Sequence, residues 1–294
     1  MDWWFIGRGQ RGLMVTSRIL ELGQQVQSQL ASLGPSLAWA TALIAALAYA
    51  TRAARRENLN ARSMYWAGVL AIFGGLWGGH LLGIFYYGTD GHPWAWLRFW
   101  SGGEAQYGGL IAGTLAVLLF ARLRRLSFVR FADTLAPAVA LGVAIGRIGC
   151  FLNGDDFGSV SHLPWAVQFP PGTEAYTDHL MHGWITSADS WSLTVHPVQL
   201  YCTFIWLAIF VMLVRWRGGI PGQRFALFLI AHGTGRMVEQ IFRGDFQPVL
   251  GPLSLTQLIS LVLVCSGLCI WLVLDRTSAG ETAAQTNMAL TNAE

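Results

Sequence analysis

The run Gly146-Arg147-Ile148-Gly149-Cys150-Phe151-Leu152-Asn153-Gly154-Asp155-Asp156-Phe157-Gly158 places an arginine, an asparagine and two carboxylates within ten residues. It closes a hydrophobic stretch that begins near Phe131 and reads as a membrane span. An ionisable group at membrane depth is costly unless it is paired or reaches water, so a chain that keeps one there points to a functional site. Arginine brings a rigid, planar fork of donors that fits the oxygens of a phosphate. A second arginine, Arg236, stands in a later stretch of the same kind, followed by Glu239 and Gln240. His80 and the pair Gln106-Tyr107 add polar groups to two more. Two arginines in such surroundings suggest an anion, and at this depth the obvious one is a phospholipid head group. A plainer reading fits the same residues: Arg147 pairs with Asp155 or Asp156, and Arg236 with Glu239, to bind helices together. The spacing accommodates both.

Composition says what kind of scaffold must carry these groups. Hydrophobic residues make up 53% of the chain and charged residues 12%, against about a quarter charged in a soluble domain. The chain therefore reads as an all-α integral membrane protein. Every basic side chain of the +3 net charge is an arginine. They fall in short loops rather than on one basic face, which argues against nucleic-acid binding. Cys150, Cys202, Cys265 and Cys269 lie in or beside apolar runs with no metal-type spacing and read as small buried hydrophobes. His162, His179, His182 and His196 form no ligand pair backed by a second ligand set. Neither a metal nor a cofactor is expected.

Residues 1–34 are too polar to span. Ile19, Leu22, Val26, Leu30 and Leu33 recur at helical spacing, which predicts an amphipathic helix on the membrane surface. Met1-Asp2-Trp3-Trp4-Phe5 lead into Arg8 and Arg11 with no apolar region behind them, so no cleavable signal peptide is expected. Apolar runs near 20 residues predict about seven spans within a transmembrane domain over 35–275: 37–50, 65–86, 107–123, 131–151, 197–214, 225–242 and 255–274. A polar cytoplasmic tail, 276–294, is expected to be disordered from Thr277 on. Arg52, Arg55, Arg56 and Arg62 follow the first span, Arg122, Arg124, Arg125 and Arg130 the third, and Arg215, Arg217 and Arg224 the fifth. Positive loops stay in the cytoplasm, which puts the N-terminus outside and the C-terminus inside, although Arg8, Arg11 and Arg18 vote the other way. The stretch 154–196 is long for a connector and predicts a small extracytoplasmic cap before the fifth span. At about 1.5 Å per residue, Arg147 lies about 24 Å from the inner end of its span, His80 about 22 Å and Arg236 about 18 Å. Tyr107 opens a span that runs the other way. Four spans thus bring their polar residues to the outer half of the bilayer. Gly74-Gly75, Gly78-Gly79 and Gly108-Gly109 allow a backbone or a ligand to approach closely.

These residues resemble a known family. The run Gly146–Gly158 is similar to the signature of prolipoprotein diacylglyceryl transferase, Gly-Arg-x-Gly-Asn-Phe-x-Asn-x-Glu-x-x-Gly. Tyr107-Gly108-Gly109-Leu110-Ile111 resembles the family's His-Gly-Gly-Leu-Ile, and Phe131-Ala132-Asp133-Thr134-Leu135-Ala136-Pro137 its lead into the signature. His196-Pro197-Val198-Gln199-Leu200-Tyr201 resembles His-Pro-x-Gln-Leu-Tyr. Gly235-Arg236 through Phe242-Arg243-Gly244-Asp245 and Pro252-Leu253-Ser254-Leu255-Thr256-Gln257-Leu258 resemble the last two motifs. The resemblance covers roughly residues 34–275. Four positions depart from it: Tyr107 replaces a histidine, Cys150 an asparagine, Asp155 a glutamate, and Gln240 the glutamate four residues after Arg236.

The resemblance implies transfer of the diacylglyceryl group of phosphatidylglycerol to the lipobox cysteine thiol of a prolipoprotein signal peptide, with release of glycerol phosphate. It also implies a multi-pass protein of the bacterial plasma membrane, with its site open to the outer leaflet and to membrane lipid. Arg147, Arg236 and Tyr107 are the expected catalytic residues. Asn153, Asp155, Gly108, Gly109, Glu239, Gln240, His80 and His196 are the expected substrate-binding residues. The departures support an alternative, a non-catalytic relative that binds phospholipid or lipoprotein precursors.

Overall fold

A computed structural model describes residues 33–88, 94–97, 106–216, 219–244 and 248–291. Its long elements are helices: α1 (Leu33–Arg56), α2 (Ala61–Tyr87), α3 (Gln106–Leu123), α4 (Phe128–Asn153), α5 (Glu174–Met181), α6 (Val198–Arg215), α7 (Gln223–Gln240) and α8 (Leu255–Thr291). A 3-10 turn, Ala95–Leu97, follows α2, and a two-stranded ribbon, β1 (Pro248–Leu250) against β2 (Leu253–Ser254), precedes α8. The helices start where the sequence offers caps. The Asn60 side chain accepts the Ser63 N–H at 2.9 Å to open α2. The Asp133 carboxylate accepts the N–H groups of Gly222 and Phe225, at 2.6 and 2.7 Å, to open α7. These are orphan donors of a first helical turn.

Among the described residues, five helices are long and apolar enough to cross a membrane: α1, α2, α4, α6 and the first part of α8. Tyr107–Leu123 is a shorter apolar helix. Many large apolar side chains point outward, among them Phe73, Phe85, Leu115, Leu119 and Phe204, as lipid requires and water forbids on this scale. The protein is an all-α, multi-pass membrane protein. The helix over the predicted run 225–242 forms as α7, but Gln223, His232, Glu239 and Gln240 are buried in it, and it does not read as a lone span.

The chain divides into two compact units. The first takes the start of α1 up to Thr41, Ile145–Leu200, and residues 243 and 244. Here the end of α4 lies on α1: an added Cβ at Gly149 would meet Ala38 Cβ at 3.1 Å, and one at Gly146 would meet the Trp39 ring at 3.0 Å. Beyond α4, a cap closes on Phe157, Phe169, Ala175 and Val195, with Phe151 and Val167 packed against them. Isolated bridges Val160–Val195 and Val167–Val195 tie its two sides. The expected loop over 154–196 is thus a folded element with its own helix, α5, which Thr173 caps.

The second unit holds Ala42–Ala144, Tyr201–Phe242 and the chain from 248 onward. Its α2 and α3 run antiparallel with glycines in the seam. A Cβ on Gly109 would meet Gly75 O at 2.9 Å, and one on Gly113 would meet Ala71 O at 3.0 Å. Its α7 and α8 pack in the same way, with Gly233 against Ser260 O (2.6 Å) and Gly267 against Ala226 O (2.8 Å). Glu57, in the turn between α1 and α2, ties the starts of α4 and α7: it accepts from Arg224 Nη1 at 2.5 Å and from the Thr134 hydroxyl at 2.7 Å, while Arg130 Nη2 donates to its carbonyl at 3.3 Å.

One expectation cannot be compared with the structure and another changes. The amphipathic segment predicted over 1–34 lies outside the described residues except for its last two, which begin α1. The tail expected to lose order at Thr277 continues α8 to Thr291. Its alanines, glutamine and glutamate have high helix propensity, and no proline interrupts them.

Candidate active site

Two clusters of buried polar residues stand out, one in each unit. In the first unit α4 ends at Asn153, and Gly154 turns the chain at φ 72°. Asp156 also takes the left-handed conformation, φ 54°, which short polar side chains tolerate better than most. This backbone aims the Asp156 carboxylate between two arginines. Arg147 Nη1 donates to Oδ2 at 2.5 Å, and Arg243 Nη1 donates to Oδ1 at 2.5 Å. Arg243 arrives from far along the chain because residues 243 and 244 pair with the end of the signature: Gly158 bridges Arg243, and Gly244 N–H donates to Phe157 O at 3.1 Å. The Asp156 N–H donates to Glu174 Oε2 at 2.8 Å. Burial raises the Glu174 carboxyl above its ordinary range, against that donor.

Asp155, at the signature's acidic position, does something else. Its Oδ2 accepts from Asn153 Nδ2 at 2.7 Å, and its carbonyl accepts from Gln199 Nε2 at 2.6 Å. Its Oδ1 is buried with no partner among the described residues. Burial pushes this carboxyl up, the Asn153 amide opposing it. Cys150, Asp155 and Asp156 bring three possible ligand atoms within 4.8 Å of one another. Two arginines already span Asp156, and their charge opposes a cation there. His196 sits half-buried on the signature's last glycine: a Cβ at Gly158 would meet His196 Cβ at 2.6 Å. His196 N–H donates to Ser159 O at 3.0 Å.

In the second unit one layer of the helix bundle collects the remaining predicted residues. Gly78 of α2 stands against Gly108 of α3, which sets buried His80 and Tyr107 at the same level of the antiparallel pair. Gly108 and Gly109 open the seam to the α2 backbone, which fills the room they leave. The Tyr107 hydroxyl donates to Thr256 O of α8 at 3.0 Å and lies 3.4 Å from Ser260 Oγ. Ser260 in turn faces Gly233 of α7, and the next turn of α7 carries Arg236. Arg236 forms a buried ion pair with Glu239, the side chains 10% and 2% exposed. Arg236 Nε and Gln240 Oε1 are buried with no hydrogen-bond partner among the described residues.

The pairings of Arg147 with Asp156 and of Arg236 with Glu239 are those that the plainer reading foresaw. Sequence reasoning left Arg243 and Glu174 outside the site and ranked Asp155 above Asp156. A second arginine seven residues after Arg236 was the available signal for Arg243.

A family model described as prolipoprotein diacylglyceryl transferase matches residues 35–273. The chain belongs to the prolipoprotein diacylglyceryl transferase family. Among its relatives is the phosphatidylglycerol–prolipoprotein diacylglyceryl transferase of Trichormus variabilis, 30% identical over 78% of this chain and 80% of that protein. The protein of the same name from Bordetella avium is 32% identical over 71% of this chain and 76% of its own. That of Methylobacillus flagellatus is 35% identical over 64% and 66%. The prolipoprotein diacylglyceryl transferase match takes in both arginine clusters, the glycine seam and the cap.

Proposed function

We propose that this protein transfers the diacylglyceryl group of phosphatidylglycerol to the cysteine thiol of prolipoproteins. In that reaction the thiolate sulfur attacks the glyceryl carbon that bears the phosphate ester. The carbon–oxygen bond breaks, glycerol phosphate leaves with the electron pair, and the proton lost by the thiol goes to water. Negative charge develops on the leaving oxygen, so fixed guanidinium donors lower the barrier. Arg147 is our choice for the phosphate, with Asn153 and Asp155 ordering the rest of the head group. Arg236 is the arginine of the second unit assigned to substrate charge, with His80, Glu239 and Gln240 around its layer. Tyr107 borders the thiol end but does not take its proton, because its O–H already donates to a carbonyl.

The substrates are phosphatidylglycerol and signal peptides with a lipobox cysteine, in a bacterial plasma membrane. We infer about seven crossings, the N-terminus outside, the tail over 276–294 in the cytoplasm and the cap over 154–196 outside. The transmembrane domain covers 35–275, behind an interfacial segment over 1–34. The observation that carries the reading is a nearly buried arginine at the signature position, 7% exposed, in a chain that matches the family over its length. The committed Tyr107 hydroxyl and the neutral Gln240 favour a second reading, a lipid-binding relative without turnover. Labelled phosphatidylglycerol and a lipobox peptide, incubated with purified protein in lipid, separate the two. A thioether product that disappears in Arg147→Ala supports transfer; full activity in that variant sinks the assignment.

A further inference from the structure

The carboxylate of Asp156 sits where a substrate phosphate would be most welcome. Each of its oxygens takes one guanidinium Nη1, at 2.5 Å from Arg147 and 2.5 Å from Arg243. Both arginine side chains are 8% exposed, while that of Asp156 is 34% exposed. Of the three, the acid has the open side. A buried guanidinium left unpaired is strongly destabilising, so the fork needs an anion whether or not substrate is present. The Asp156 backbone is anchored without its side chain, through the N–H donated to Glu174 Oε2 at 2.8 Å and the turn after Gly154. Rotation about the side chain's own bonds can therefore release the carboxylate without unwinding the loop. The signature's acidic position does not do this work, because Asp155 is turned to Asn153.

We propose that Asp156 is a placeholder for phosphate. Its carboxylate occupies the fork of Arg147 and Arg243 in the empty protein, and it swings to solvent when a phosphate ester enters. The proposal rests on the phosphate-binding reading of Arg147 and extends that site to Arg243. Carboxylate and phosphate offer paired donors the same two-point geometry. A phosphodiester carries one negative charge, as the carboxylate does, so the exchange leaves the charge of the fork unchanged. The displaced carboxylate goes to water, and no buried charge loses its partner at either end of the swap. The neutral amide of Asp156→Asn competes far less for the two arginines. The phosphate then binds without first evicting a charge-assisted pair.

The test uses the full chain in neutral detergent, with glycerol phosphate as the probe. Calorimetric titration should show Asp156→Asn binding it on the order of tenfold more tightly than the parent, the equivalent of about one charge-assisted hydrogen bond. Equal or weaker binding by folded Asp156→Asn overturns the proposal. A second measurement needs no variant. Carbodiimide labelling of Asp156 in the parent, read by mass spectrometry, should rise several-fold at saturating glycerol phosphate; an unchanged or reduced yield overturns it. Thioether formation is scored on the same preparation. Product without a change in labelling removes the placeholder and leaves the transferase. A change in labelling without product keeps the placeholder and removes the transferase.

Discussion

Replacing Gly108 with alanine forces α2 and α3 apart, whereas the same change at Gly75, on the facing surface, does not. A Cβ at Gly108 would overlap the Gly78 carbonyl oxygen and lie 2.6 Å from Leu82 Cβ and 2.9 Å from the Gly78 carbonyl carbon. Carbon atoms in ordinary contact are about 3.5–4.0 Å apart, so the helices must part locally by on the order of 1 Å. Backbone atoms cannot step aside as a flexible side chain can. Overpacking of this kind costs about 1–3 kcal/mol, and alanine returns up to about 1 kcal/mol of helix propensity. At Gly75 the nearest atom is Gly109 O at 3.7 Å, an ordinary contact, and only the propensity gain of up to about 1 kcal/mol remains. The two variants should therefore differ by about 2 kcal/mol, or roughly 4–8 °C in Tm for a chain of this size. Fluorescence-detected unfolding in detergent reads the difference, with thioether formation measured alongside. Equal Tm values refute the packing argument. Loss of turnover in Gly108→Ala with Tm unchanged would show that the glycine makes room for substrate and not for α2.

Glu239→Gln leaves the buried Arg236 guanidinium without its carboxylate and should destabilise by about 3 kcal/mol; the double variant Arg236→Leu/Glu239→Leu should unfold nearer the parent, and a double variant worse than Glu239→Gln would contradict this. Tyr107→Phe removes the bond to Thr256 O and should cost about 1 kcal/mol of stability with turnover kept within about threefold; a thousandfold loss at constant Tm would put the phenol into the chemistry. His179, fully buried with Nδ1 accepting the Leu193 N–H at 3.1 Å, has its pKa lowered, chiefly by burial. The folded cap then binds fewer protons than the unfolded one, so cap stability should be level above about pH 7 and fall as pH drops below the free value of about 6.5. Hydrogen exchange at the Leu193 amide reads this fall, and an exchange rate with no pH dependence beyond the intrinsic one would exclude it.

The long apolar helices were legible because a helix in lipid must be apolar over a fixed length, and the runs of apolar residues report that. The helix starts at Gln106 and Leu255 lie within a residue of the predicted ones. Arg147 and Arg236 were legible for the converse reason, as costly residues in apolar surroundings. Asp156 was not. Which of two adjacent acids meets Arg147 depends on a left-handed backbone at Asp156 and on the pairing of residues 243 and 244 with 157 and 158, and no local spacing encodes either. The partner of Tyr107 was hidden likewise, since Thr256 lies 149 residues away. The cap was foreseen as a long loop, but its core of Phe157, Phe169, Ala175 and Val195 has no regular period to betray it.

The polarity of α7 has a consequence for how the chain is made. An arginine at the centre of a lone helix costs about 2.5–3.5 kcal/mol on leaving the translocon for lipid, and α7 buries Glu239 and Gln240 beside Arg236. Its companion is α8, which lays the Ser260 carbonyl and Val264 against Gly233. Packed on each other in this way, α7 and α8 are expected to enter lipid together, as a hairpin, with the Arg236–Glu239 pair held inside it. Without α8, α7 is expected to lose the close packing at Gly233 and Gly267 that covers its polar side in lipid.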